Sequence, residues 1–182
     1  TGVNTALVVA IGITSATDLV GTVTYAGGTM TRASTAVVPA SAAYKPYLYF
    51  LINPTTGANN LIVQCSGTTI IRAISMSYTG VGQTGQPDAV GSNTSAAGTF
   101  VAGTLTTVAS NSWIMTGEIN DSDFVKAGVG LTVRGSSNVA GGGDSNADIS
   151  GAGTLTWLTQ GGAGANWGMP MLSLAPVVSG IS

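Results

Sequence analysis

The chain contains no histidine and one cysteine among its 182 residues. Without an imidazole, the Ser-His-Asp and Cys-His nucleophile pairings, the usual general base and the commonest transition-metal ligand are all excluded. Cys65 cannot form a disulfide within the chain, so stability rests on packing and cysteine usage gives no guide to compartment. Charge is equally scarce. Five basic and seven acidic residues make up 7 % of the sequence, against roughly a quarter in an average soluble domain. The basic residues Arg32, Lys45, Arg72, Lys126 and Arg134 are scattered and not interleaved with aromatics. No electrostatic footprint for phosphates results, and nucleic acid is not expected as a partner. No run approaches the ~18 continuous apolar residues of a membrane-spanning helix; the longest near the start, residues 6–13, is strand-sized. A membrane is not expected as a partner either. The sequence opens at Thr1 with neither an initiator methionine nor a basic flank before an apolar segment, so no signal peptide is read and processing or truncation is expected.

What remains is apolar and uncharged-polar. A hydrophobic fraction of 44 % with a net charge of -2 provides enough apolar surface to offset the entropy of ordering the chain. The length suits one folding unit, and residues 1–182 are read as a single domain. Its surface must be covered by Thr, Ser, Asn, Gln and Gly. Such a surface protects a lone monomer poorly against association, whereas in an assembled particle neighbouring subunits cover it.

Strand signals recur, with turn residues between them, and amphipathic helical stretches with caps are hard to find. Strands are expected at residues 6–13, 21–25, 29–32, 47–52, 60–65, 69–78, 98–108, 112–118, 130–134, 154–159 and 169–174. So many short strands predict an all-β, two-sheet antiparallel sandwich. Val23-Thr24-Tyr25, then Ala26-Gly27-Gly28, then Thr29 reads as a hairpin, because glycine supplies the positive φ of a tight primed turn. Tyr49 to Ile52, ending in Asn53-Pro54-Thr55-Thr56-Gly57, reads as a buried strand to which 60–65 returns antiparallel. Long loops are expected at 82–97 and at the Gly- and Ser-rich 135–153.

Two acidic groupings are candidates for chemistry. Asp144, Asn146 and Asp148 place oxygen ligands at alternate positions, as the start of a calcium loop does. Ile149 stands where an EF-type loop needs glycine, however, and no Glu closes it at the twelfth position, so a turn whose Asp and Asn bond their own backbone is the plainer reading. Calcium there is the one metal candidate; no other cofactor is expected. Glu118, Asp121 and Asp123 form the second grouping, read as a turn or helix-start cluster because no catalytic partner for them is in sight. Cys65 lies in an apolar strand and reads as a buried, inert thiol. Trp113, Trp157 and Trp167, with Tyr44, Tyr47 and Tyr49, have faces suited to sugar rings, but strand positions favour core packing for them.

The segments Ala6-Leu7-Val8-Val9-Ala10-Ile11, Val23-Thr24-Tyr25-Ala26-Gly27, Tyr49 through Gly57, Ala73-Ile74-Ser75-Met76-Ser77-Tyr78-Thr79-Gly80-Val81 and Trp167 through Pro176 occur in an order that resembles the concanavalin A-like, jelly-roll domains of bacteriophage virion and bacterial surface proteins. The resemblance spans nearly the whole chain, in strand and turn residues rather than site chemistry. It implies a jelly-roll sandwich. Such domains usually begin with one strand more than can be found before Ala6, which implies an open edge there, completed by a neighbouring subunit. The functional expectation is a non-enzymatic structural protein of a bacteriophage particle, a capsid-decorating, tail or fibre subunit located in the extracellular virion. Its partners would be copies of itself and other virion proteins. The alternative is a lectin-like module that binds cell-surface glycans through the loops at 82–97 and 135–153. A glycan-cleaving enzyme would require a carboxylate pair across a groove, which the sequence does not place.

Overall fold

A computed structural model describes residues 2–33, 43–122 and 124–177, which form strands and turns with no helix among them. The first seven strands are β1 (Ala6–Thr14), β2 (Val20–Tyr25), β3 (Gly28–Thr29), β4 (Thr31–Arg32), β5 (Tyr44–Ile52), β6 (Leu61–Cys65) and β7 (Ile71–Tyr78). They build two sheets: sheet I, in the order β3-β2-β6, and sheet II, in the order β4-β5-β1-β7. Eight more follow: β8 (Ala89–Gly98), β9 (Phe100–Thr106), β10 (Trp113–Asn120), β11 (Val125–Ala127), β12 (Thr132–Ser137), β13 (Ala140–Asp144), β14 (Ala152–Thr159) and β15 (Ala165–Leu174). These build sheet III, in the order β12-β13-β10-β15-β8, and sheet IV, in the order β11-β14-β9. Neighbouring strands pair antiparallel in every sheet.

The β-sandwich expected from the sequence is present, and it is thicker than two sheets. Sheets II and III pack face to face, with Ala6, Val8, Ala10, Leu48, Phe50 and Met76 meeting Met115, Leu172 and Leu174. Sheet I covers the other face of sheet II through Val20 and Val23 against Leu7, Val9, Ile11, Ile13, Tyr47 and Tyr49. Sheet IV covers the other face of sheet III, with Val101, Leu105, Leu155 and Trp157 against Ile114, Trp167, Met169 and Met171. The central strands of the two inner sheets, β1 and β10 among them, therefore have no solvent face. This is why β1 is an unbroken apolar run instead of an alternating one: odd and even residues each meet a core. Burying each of its Val, Leu and Ile side chains contributes about 1.5–3 kcal/mol relative to leaving it exposed.

The close approach of the layers also explains a segment in which the sequence suggested only loop. Gly141, Gly142 and Gly143 lie in β13, which is buried along its whole length. A Cβ on Gly142 would lie 3.0 Å from Ile74 Cγ2, and one on Gly141 would lie 2.6 Å from the Trp157 ring and 3.1 Å from Val125. Glycine is used there for space, not for flexibility. Gly141→Val is expected to lower the unfolding free energy by about 1–3 kcal/mol through overpacking. At Gly21, where the nearest contact to an added Cβ is Gln64 O at 3.5 Å, Gly→Ala is expected to change it by less than about 0.5 kcal/mol. Urea titrations of the two variants check the difference.

The hairpin at 23–29 is present: Tyr25 pairs with Gly28 across Ala26 and Gly27, both at positive φ. Other expectations need correction. Residues 60–65 do not return onto β5; β6 pairs with β2 in sheet I. Both sides of β5 are already taken by β1 and β4, and the alternating burial of β6 suits an outer sheet with one wet face. Within 82–97, β8 forms an edge strand on β15; its small polar residues carry no strand signal because most of them face solvent. Nor is the chain open at Ala6, since β1 is paired along one side by β5 and along the other by β7.

Candidate functional site

Sheet II ends at β7, and beside the C-terminal half of that strand lies a groove of about 650 Å³ lined by Ser75, Tyr78, Trp113, Arg134, Asp144 and Asp148, among others. Two of the three residues of the suspected calcium loop, Asp144 and Asp148, line it. Asp144 closes β13, opposite Met115 on one side and Thr132 on the other, and is fully buried. Its cationic partner comes from β12. The register of β12 against β13 slips between Val133 and Gly135, so Arg134 is the extra residue of a bulge, a device that re-aims a side chain.

The re-aimed guanidinium grips the carboxylate at two points, Nε to Oδ2 at 2.7 Å and Nη2 to Oδ1 at 2.9 Å, and also donates from Nη2 to Asn146 Oδ1 at 2.6 Å. Tyr78 Oη donates to Asp144 Oδ2 at 2.7 Å, and the Asn146 amide donates to Oδ1 at 3.0 Å. Burial, reinforced by the Asp144 charge, pushes the Tyr78 hydroxyl well above the ordinary phenol value, so it remains a donor. The hydrogen bond to Asp144 likewise raises Arg134. Asp148 stands apart, exposed, accepting from Trp113 Nε1 at 2.8 Å. Trp113 meets Tyr78 edge to face, with centroids 6.0 Å apart at 70°. The oxygens that a calcium ion would need on Asp144 and Asn146 are thus already taken by the chain's own donors. Among the described residues there is no group of three or more His, Cys, Asp or Glu placed to hold a metal.

The other carboxylates serve as clips. Asp88 accepts from the amides of Val108 and Ala109 at 2.9 and 2.8 Å and from Ser173 Oγ at 3.0 Å. Asp121 takes the amide and the side chain of Asn166 at 2.9 and 2.7 Å. Asp18 accepts from Arg32 Nη1 at 2.8 Å and Tyr47 Oη at 2.9 Å, while the guanidinium lies over the Tyr47 ring, 4.6 Å from its centroid. Burial raises the Asp18 pKa, but the hydrogen bonds from Arg32 and Tyr47 outweigh that and leave it below the ordinary value. Asp123, of the second acidic grouping, lies outside the described residues.

Glu118 has no such clip. It is 2 % exposed, on the face of β10 that meets sheet IV, and among the described residues neither carboxyl oxygen has a partner in good hydrogen-bond geometry. Burial pushes its pKa well above the carboxylate range, and Asn120, two residues on, offsets this only in part. Trp157 Nε1, in the same layer, is also buried without a partner among the described residues. Trp157, Trp167, Tyr47 and Tyr49 are core residues, as their strand positions suggested, and Cys65 is half-buried against sheet II. Trp113 is the exception, because it faces the groove. The signal that would have found the groove is the bulge that turns Arg134 toward Asp144, and nothing in the sequence marks it. No protein-family model, curated protein or solved structure matches this chain.

Proposed function

We propose that this chain is a non-enzymatic structural subunit of an assembled particle, of the kind found in bacteriophage virions, covered in place by copies of itself and by other particle proteins. The observation that carries the reading is a surface poor in charge with large apolar side chains in solvent, Val108 at 83 %, Val3 at 79 %, Val129 at 78 % and Ile70 at 58 % exposure among them. The particle's identity as a virion rests on the resemblance to phage jelly-roll domains. Light scattering across a concentration series is expected to give discrete oligomers or growing polymers; a stable monomer up to millimolar concentration would remove the assembly reading.

The groove favours a second reading, a lectin-like module. Trp113 and Tyr78 supply aromatic surface, and Asp148, Arg134 and Ser75 supply polar groups beside it, the combination by which pockets hold sugars. A glycan array tests this. Retention of one sugar class by the parent chain and its loss in Trp113→Ala would favour binding over assembly, and an array with no signal would discard the reading.

A further inference from the structure

The open strand edges of the four sheets are not equivalent. Edge strands are normally blunted by shortness, bulges, lysine, proline or a covering group. Strands β3 and β4 are two residues long, and β11 is three. The edge strand β12 carries the Arg134 bulge, and the pairing of β6 with β2 is irregular. The edge strand β8 meets β15 with a register shift, and its Asn93 side chain donates across to Ala102 O of β9, which covers part of that edge too. Among the described residues strand β7 has no bulge, proline, lysine or covering strand, and Arg72 is its one charged side chain. It pairs with β1 over eight residues in unbroken register, and its sequence, Ile-Arg-Ala-Ile-Ser-Met-Ser-Tyr, contains neither proline nor lysine.

The register also fixes which backbone groups are free. Thr14 N donates to Ile70 O just beyond the strand. Hydrogen-bonded pairs alternate in an antiparallel ladder, so Arg72, Ile74, Met76 and Tyr78 bond to β1. The bond from Asn53 N to Thr5 O on the other side of β1 fits the same alternation. Ile71, Ala73, Ser75 and Ser77 therefore aim their N–H and C=O groups away from the sheet, with no partner for them among the described residues, and their side chains are exposed.

We infer that β7 is a self-pairing edge: it takes β7 of a second copy, antiparallel about a two-fold axis through Ile74, and joins two four-stranded sheets II into one. This rests on the assembly reading and locates its first contact. A two-fold axis makes an antiparallel edge complementary to itself. In this register Ile71 faces Ser77 of the second copy and Ala73 faces Ser75, so each outward-aimed residue meets another outward-aimed residue and both exchange bonds. Arg72 is the one charged residue in the strand and falls opposite Met76, so no like charges oppose each other.

Position 75 gives the test. Proline there removes an outward donor and no internal bond, so sheet II is left intact. Ser75→Lys keeps the amide and sets two lysines diagonally across the axis, about 7–8 Å apart. The full chain and both variants are compared by light scattering and by hydrogen exchange. The parent is expected to show twice the mass of one chain or a multiple of it, with slowed exchange at Ile71, Ala73, Ser75 and Ser77; both variants are expected to drop to single-chain mass, with those amides exchanging fast and the circular dichroism unchanged. A parent that assembles while folded variants assemble equally well overturns the edge and leaves the assembly reading standing. A monomeric parent overturns both. If the proline variant fails to fold, the lysine variant decides.

Discussion

Arg134→Ala is expected to lower the unfolding free energy by on the order of 3 kcal/mol, because it leaves Asp144 buried without a countercharge. The attraction that the pair supplies is not the source of that number. A buried ion pair gains little net stability against two well-packed apolar residues, but a buried carboxylate that has lost its cation bears the whole desolvation penalty. The remaining donors, Tyr78 and the Asn146 amide, bring no charge. For a chain of this size the loss corresponds to a fall in Tm of about 10 °C. Arg134→Lys is expected to lie in between, since an ammonium keeps the charge and loses the two-point grip. Denaturant titration of both variants measures this, and a loss below about 1 kcal/mol for the alanine variant would show that water reaches Asp144 and replaces the guanidinium.

Glu118 sets the pH dependence of stability. Its pKa in the folded chain is raised well above the model-compound value of 4.5, so the folded state keeps a proton that the unfolded state releases near that pH. The native state then holds more protons, and stability falls as pH rises from about 4.5 toward the folded pKa, by on the order of 1 kcal/mol per pH unit. Most carboxylates act in the opposite sense. The hydrogen bonds from Arg32 and Tyr47 that lower Asp18 add stability above its unfolded pKa, which is lost as pH falls through the folded value. Glu118→Met is expected to be more stable than the parent, with a gap that widens as pH is raised from 5 toward the folded pKa. Thermal melts across that range give the slopes, and a parallel pair of curves would mean that the carboxyl is already solvated.

Much of this architecture was legible in the residues. Strand β1 was legible because a strand buried on both faces must be apolar throughout, and the hairpin because Gly27 suits the positive φ of its turn. What the sequence concealed was set by tertiary contact. Strand β13 is rich in glycine because sheets II and IV press on it from both sides, and that spacing leaves no local propensity for a strand. The oxygen ladder of Asp144, Asn146 and Asp148 was visible, but the cation that meets its first two members is a guanidinium ten residues upstream of Asp144, delivered by a bulge. The open edge was expected at the first strand because the resemblance to jelly-roll domains implied one more strand before Ala6; folding places β1 inside its sheet and leaves β7 at its end.

The division of the strands between the sheets has a kinetic consequence. Every strand of sheets I and II ends by Tyr78, and every strand of sheets III and IV begins at Ala89 or later. Each half of the chain thus closes its own ladders and collapses around its own cluster, with no loop longer than that half to close first. The layer of Val8, Leu48, Phe50, Met115 and Leu172, with contacts such as Tyr78 to Asp144, needs both halves. Folding is therefore expected to run as two local collapses followed by a docking step, with the first collapse open to a nascent chain whose second half is still being synthesised.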